Sequence, residues 1–266
     1  MASPLLQLDH VTKRFGRVVI AEDLSLTVEA GETVGIVGPN GAGKTSLFGL
    51  ISGDLAPGAG EIRFAGRTVT RLDAAARCRL GIGRTYQVPR PFGDMTVFEN
   101  VLVAAQQGGG LRRRASYAAA VAALERTGMP GQANVPAERL GLLQRKRLEL
   151  ARALATQPSL LLLDEVAGGL TDPEVAQLVE IVRGINAEGT SVIWIEHVVR
   201  ALTALVSRLM CLAGGVFVGD GDPVTVLADP AVREVFLGTE VTAALAGGSL
   251  EASSPDGAGG GERSEP

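Results

Sequence analysis

The chain has 266 residues, 46% of them hydrophobic, and a formal net charge of −4. That length can bury a sizeable core, as one large domain or as a core with an inserted subdomain. The mild acidity, relieved locally by Arg112-Arg113-Arg114, argues against nucleic acid as the main partner.

In chain order, Leu5 to Asp9 and Leu24 to Val28 read as strands, the second alternating apolar and polar. Thr33 to Val37 is an apolar strand, and Ser46 to Ile51 is compatible with a helix. Glu61 to Phe64 alternates and closes at Gly66, and Leu80 to Gln87 reads as a strand entering a loop. From about Pro89 to Arg139 the character changes. Helical stretches (Thr96 to Gln107, Ala115 to Thr127) are broken by Gly108-Gly109-Gly110, Pro130-Gly131 and Pro136, which predicts an inserted helical subdomain over 89–139. Arg112 to Arg114 reads as a solvated loop or helix start. Leu160 to Leu163 is wholly apolar, the pattern of a strand covered on both faces. Pro173 to Asn186 reads as a helix, with Asp172 as cap and Pro173 as its first residue. Ser191 to Ile195 is a second buried strand, and Leu209 to Leu212 and Val216 to Val218 form a late pair around Gly214-Gly215. Alternating strands and helices predict an α/β fold with a mostly parallel sheet. The domain is expected to span 1–246. The stretch 247–266, rich in Gly, Ser, Glu and Pro, is expected to be a disordered tail.

Gly38-Pro39-Asn40-Gly41-Ala42-Gly43-Lys44-Thr45 spells G-x-x-x-x-G-K-T between a strand and a helix. Glycines let successive backbone N–H groups converge on phosphate oxygens, and the helix N-terminus adds to that field. Lys44 is placed to reach the terminal phosphates and Thr45 to ligate Mg²⁺. Asp164-Glu165 follows the Leu160–Leu163 strand directly. Buried carboxylates are expensive, so the pair reads as functional: Asp164 toward Mg²⁺, Glu165 polarising the attacking water. His197 closes the run Ile193-Trp194-Ile195-Glu196-His197 at a strand's carboxyl end, where ligand crevices form in this sheet class. Its imidazole is suited to the γ-phosphate or the water. The Gln87 amide oxygen is suited to Mg²⁺ and water, and Phe15 offers an aromatic face to adenine.

Taken together these residues resemble the ATP-binding subunit of an ABC transporter, over about Leu5 to Gly238. Gly38 to Thr45 matches Walker A and extends nucleotide contact to Ser46. Phe15 matches the aromatic A-loop position and Gln87, in Arg84-Thr85-Tyr86-Gln87, the Q-loop. Leu160 to Glu165 matches Walker B with its catalytic Glu, Gly169-Leu170-Thr171-Asp172 the D-loop, and His197 the H-switch. The resemblance implies a P-loop NTPase core with an N-terminal antiparallel β subdomain and the helical insertion. Two such subunits would close head-to-tail over two ATP molecules beneath membrane permeases. Details such as Met95-Thr96-Val97-Phe98-Glu99-Asn100-Val101 and the ending Val235-Phe236-Leu237-Gly238 look like the larger ATPase subunit of branched-chain amino acid importers. That implies permeases, a periplasmic solute-binding protein and a second ATPase subunit, identical or different.

One element departs from the family. Its signature reads Leu-Ser-Gly-Gly-Gln, whereas this chain has Leu140-Gly141-Leu142-Leu143-Gln144. Gly141 has no hydroxyl for the opposing γ-phosphate and Leu143 adds bulk, so a weakened phosphate site is expected. Val166 also replaces the usual Pro after the catalytic Glu.

Cys78 and Cys211 lack ligand spacing and read as small core residues in a reducing compartment. Met1 to Leu5 has no signal-peptide pattern, and no stretch has the roughly 18 apolar residues of a spanning helix. The chain is therefore expected on the cytoplasmic face of the inner membrane, held there by partners. The alternatives are a soluble ABC-type ATPase, a weakly hydrolysing regulatory module and a P-loop kinase. The single cassette opposes the first, intact Lys44, Asp164, Glu165 and His197 oppose the second, and the motif order opposes the third.

Overall fold

A computed structural model describes residues 4–235. The expected tail from Gly247 and most of the Val235–Gly238 ending lie outside the described residues.

The chain opens with β1 (Leu6–Phe15), β2 (Val18–Val28) and β3 (Thr33–Val37), then α1 (Lys44–Ser52), β4 (Ala59–Phe64), β5 (Arg67–Thr68), α2 (Ala74–Leu80) and β6 (Ile82–Arg84). A helical stretch follows: α3 (Val97–Val103), a π turn at Ala104–Gly108, α4 (Arg113–Arg126) and α5 (Leu142–Ala155). The core resumes with β7 (Leu160–Asp164), α6 (Asp172–Ala187), β8 (Ser191–Ile195), α7 (Val199–Thr203), β9 (Arg208–Ala213), β10 (Val216–Gly221) and α8 (Pro223–Ala228).

Two sheets result. β2-β1-β4-β5 is antiparallel, and β10-β9-β3-β8-β7-β6 is parallel except for its β10–β9 edge. This is the α/β fold expected from the alternating pattern. The apolar strands at its centre serve two cores because successive side chains point to opposite faces. Leu160 and Leu162 of β7 join α1 and the antiparallel sheet, whereas Leu161 and Leu163 join the helices on the other face. β8 divides likewise, with Ile193 and Ile195 on the first side and Val192 and Trp194 on the second. Helices α3, α4 and α5 pack on one another, and α5 also touches β6.

Local chemistry moved several expected boundaries. Leu80 closes helix α2, capped by Asp73 accepting from Ala76 N at 2.8 Å, so only Ile82–Arg84 of the expected 80–87 strand pairs. Thr171, not Asp172, caps α6: its N–H and hydroxyl both donate to Glu174 at 2.8 Å, the capping-box arrangement. Asp172 is instead exposed and ion-paired with Arg200. The expected 96–107 helix is α-helical to Val103 and then widens into the π turn. Arg113 begins α4, as a helix start would.

Candidate nucleotide site

The loop 38–43 leaves the end of β3 and enters α1 in a shape that glycine alone allows. Gly38 has φ +151° and Gly43 φ +102°. A Cβ on Gly38 would lie 2.0 Å from the Leu212 carbonyl oxygen, and one on Gly43 would lie 2.5 Å from that of Ile20. The buried Lys44 ammonium folds over the loop and donates to the Gly38 and Pro39 carbonyls at 2.7 and 3.0 Å. Burial lowers its pKa, against the opposing pull of Glu165 and Asp164. The loop walls a cavity of about 320 Å³ that Asn40, Thr45 and Ser46 also line, with Ile20, Gln87 and Glu165 opposite.

The carboxyl ends of β6, β7 and β8 bring the remaining groups to this place, as a parallel sheet does. Asp164 ends β7 and is 1% exposed. Its Oδ2 accepts from Arg84 at 3.2 Å, while its buried Oδ1 has no partner. Burial pushes its carboxyl up, and Arg84 pulls it back down. Glu165 follows with φ +48°, a left-handed backbone that a β-unbranched but non-glycine residue rarely adopts. Its carboxylate accepts from Gln87 Nε2 at 2.5 Å and pairs with His197 Nε2 at 2.6 Å.

Magnesium fits this donor set. The Asp164 carboxylate keeps one buried oxygen without a partner, and Thr45 and Gln87 line the cavity beside the neighbouring Glu165. Among the described residues no group of three or more His, Cys, Asp or Glu could hold a metal alone. Mg²⁺ with few protein ligands, completed by phosphate oxygens and water, has that character.

Lys44, Gln87, Asp164, Glu165 and His197 therefore converge. Phe15 stands slightly apart: half-exposed at the end of β1, under the Lys13 ammonium at 5.0 Å, it does not line the cavity, although Ile20 of the same hairpin does. Sequence reasoning missed Arg84, Lys146 and Glu196. Arg84 pairs with both Asp164 and Asp54. Lys146 and Glu196, each almost fully buried, bond the backbone of the Glu165 turn. Glu196, ending the buried β8 run, carried an available signal; Lys146, within Arg145-Lys146-Arg147, did not.

The family model for ABC transporters matches residues 21–168, more than half of the chain. The chain belongs to the ABC transporter family. This ABC chain is 35% identical over 253 residues to the high-affinity branched-chain amino acid transport ATP-binding protein LivG of Salmonella typhimurium, covering 90% of this chain and 99% of that one. It is 33% identical to BraF of Pseudomonas aeruginosa, a protein of the same description, with the same coverage. Among solved structures, a nucleotide-free ATP-binding cassette from an ABC transporter superposes with a TM-score of 0.80 at 26% identity, over 88% of this chain and 98% of that one. An ABC cassette in its ADP conformation gives 0.81 at 26% identity, over 88% and 99%. The ABC chain is thus a nucleotide-binding, ATP-hydrolysing transport subunit, and the alternatives weighed from sequence are not favoured. No helix among the described residues is long and apolar enough to cross a membrane.

Within the ABC frame the departing signature sits at the head of α5. Gly141 is the N-cap, without a side-chain cap, and its N–H donates to Gln144 Oε1 at 3.3 Å. Leu142 is half-exposed and lies against Gly169, where a Cβ would meet it at 3.2 Å.

Proposed function

We propose that this chain powers the import of a branched-chain amino acid or a related small solute, hydrolysing MgATP against two membrane permeases fed by a solute-binding protein. The observation that carries the reading is the meeting of Lys44, Gln87 and Glu165 on one cavity, with His197 paired to Glu165 and Asp164 just before it, in a chain that aligns with 99% of LivG.

Backbone N–H groups of Gly38, Pro39, Asn40, Gly41, Ala42 and Gly43 cradle the phosphates. Lys44 exchanges its two loop carbonyls for the β- and γ-phosphates. Thr45 and Ser46 line the cavity from the first turn of α1, and Phe15 stacks on adenine. Asp164, Thr45 and Gln87 would hold Mg²⁺, which would supply positive charge against that developing on the transferred phosphoryl group. Glu165 takes the proton of the attacking water, and His197 holds the Glu165 carboxylate in the orientation seen here.

A second cavity of about 390 Å³ between the sheet and the helices is lined by Tyr86, beside Gln87, and by Cys78, Glu149, Arg152 and Thr156. Half-exposed Phe92 stands near it under the Arg152 guanidinium at 5.5 Å. This groove suits a permease segment, because whatever fills it presses on the loop that carries Gln87. Phe98 instead packs in the helical core beside Tyr117, with ring centroids 5.4 Å apart. The second ATPase subunit closes the nucleotide site from the opposite side, and the assembly lies at the cytoplasmic face of the membrane.

The test is co-purification with branched-chain amino acid permeases, followed by uptake of labelled leucine and related small solutes into vesicles loaded with MgATP. Uptake that Glu165→Gln abolishes supports the reading. Uptake that survives Glu165→Gln, or a complex that carries neither leucine nor any related small solute, overturns it.

A further inference from the structure

The turn that carries Glu165 holds a left-handed non-glycine backbone, which costs about 1–3 kcal/mol and persists only where surrounding bonds over-determine it. Its restraints are few. The Glu165 N–H donates to the Ile195 carbonyl at 2.9 Å. The Ala167 N–H donates to Glu196 Oε1 at 2.5 Å, and the same oxygen accepts Trp194 Nε1 at 3.2 Å. The Glu165 carbonyl accepts the Gly168 N–H of its own turn at 3.4 Å and, more closely, a donor from another part of the chain: Lys146 Nζ of α5 donates to it at 3.0 Å and reaches the Gln87 carbonyl at 3.5 Å.

Lys146 is 5% exposed. A lysine within a helix normally keeps its ammonium in water, and burying one for two carbonyls is costly where a methionine would fill the space. The same face of α5 continues the pattern at intervals of three. Glu149 Oε1 accepts the Arg90 N–H at 2.8 Å, and Arg152 donates to the Arg90 carbonyl at 3.0 Å. One helix face thus holds both ends of the segment that runs from Gln87 to Arg90.

We infer that Lys146 is a positioning residue that ties the helix bearing the departing signature to the backbone of Glu165 and Gln87, so that movement of that helix sets the aim of the Glu165 carboxylate. The inference rests on the assignment of Glu165 as the group that activates water. In the arrangement seen here the ammonium fixes the Glu165 carbonyl while Gln87 and His197 occupy its carboxylate. A shift of α5 relative to the sheet is passed to the reacting end through a single peptide unit. Nucleotide contacts at Lys44 and the 38–43 loop do not depend on it.

The experiment compares wild type, Lys146→Met, Lys146→Arg, Lys146→Gln and Glu165→Gln as full-length chains, reading steady-state ATP hydrolysis and MgATP affinity separately. Lys146→Met should lower kcat about tenfold to a hundredfold, the cost of a small misplacement at a reacting centre, while MgATP Kd stays within about twofold. Lys146→Arg, which keeps a donor of similar reach, should recover most of the loss. Lys146→Gln is carried in parallel, so that a methionine variant that fails to fold leaves the same comparison in place. Unchanged kcat in the folded Met or Gln variant, a loss that tracks Kd, or no recovery in the arginine variant overturns the inference. Glu165→Gln separates the two readings: turnover that survives in it removes the premise, whereas a dead Glu165→Gln beside a fully active Lys146→Met removes only the role of Lys146.

Discussion

Arg84 holds Asp164 by one carboxylate oxygen, at 3.2 Å, and leaves the other buried without a partner. The same guanidinium pairs with Asp54 at 2.9 Å and lies 5.8 Å from the Phe48 ring and 5.0 Å from that of Tyr86. Arg84 side-chain exposure is 9% and that of Asp164 is 2%, so this is a buried pair and not a surface one. Removing one member of such a pair costs about 3–5 kcal/mol, because the other stays charged in a poor solvent. Arg84→Gln should therefore destabilise the nucleotide-free chain by about that amount in urea unfolding. The uncovered carboxylate should also make Mg²⁺ more stabilising in the variant than in wild type. Equal Mg²⁺ effects in the two proteins would show that Asp164 is not the cation's ligand.

Gly43 is the tightest joint between the phosphate loop and the β1–β2 hairpin. With φ +102° and a Cβ that would meet the Ile20 carbonyl at 2.5 Å, Gly43→Ala must open the loop. Thermal unfolding should register a loss of about 1–3 kcal/mol from backbone strain alone. Calorimetric titration should show MgATP affinity at least about tenfold weaker, a step of 1.4 kcal/mol. Wild-type affinity in this variant would mean that the loop does not bind phosphate in the shape described.

The signature departure can be repaired without a clash. Nothing lies within 4 Å of a Cβ on Gly141, so Gly141→Ser fits and supplies the missing N-cap hydroxyl. Leu143→Gly removes bulk at the price of roughly 1 kcal/mol of helix stability. The double variant should raise ATP-driven association, read by light scattering, or hydrolysis. If neither rises, the motif's departure does not weaken the phosphate site.

Glu196 gives a pH signature that Gln cannot. Burial raises its pKa above the ordinary 4.5, against the lowering by hydrogen bonds from Ala167, Trp194 and His197 and by the Lys146 ammonium. A carboxyl whose folded pKa is raised favours folding while protonated. Its contribution is present below about 4.5 and is lost as pH rises toward the folded value. Glu196→Gln should thus gain stability relative to wild type across the window that opens near pH 4.5 and stay level above it. A stability difference independent of pH would contradict the raised value.

Much of the parallel core was readable because apolar runs such as Leu160–Leu163 and Ser191–Ile195 have no other stable home than the middle of a sheet. The residues around the cavity were readable for related reasons: Lys44 closes the glycine-rich spacing that leads into α1, and Asp164, Glu165 and His197 sit where strands end, which is visible as breaks in apolar pattern. Less was legible where a bond, not a pattern, decides the outcome. Helix α2 depends on the Asp73 cap and on Arg77, whose buried guanidinium bonds the Leu50 and Ile51 carbonyls at 2.6 and 3.0 Å, a contact between distant segments. The β1–β2 hairpin runs on to Phe15 and Val18 through irregular register, with His10 and Asp23 both at positive φ, and period-two alternation fails there. Lys146 was hidden because a lysine in a helix looks solvated until the neighbouring turn is placed against it.

The sole tryptophan, Trp194, has its indole N–H on the carboxylate that pins Ala167. Its emission therefore comes from a single place, joined through the Glu196 carboxylate to Ala167, two residues beyond Glu165. No label is needed to follow that turn: stopped-flow fluorescence of the unmodified chain gives the time course on which nucleotide capture reaches the hydrolytic group.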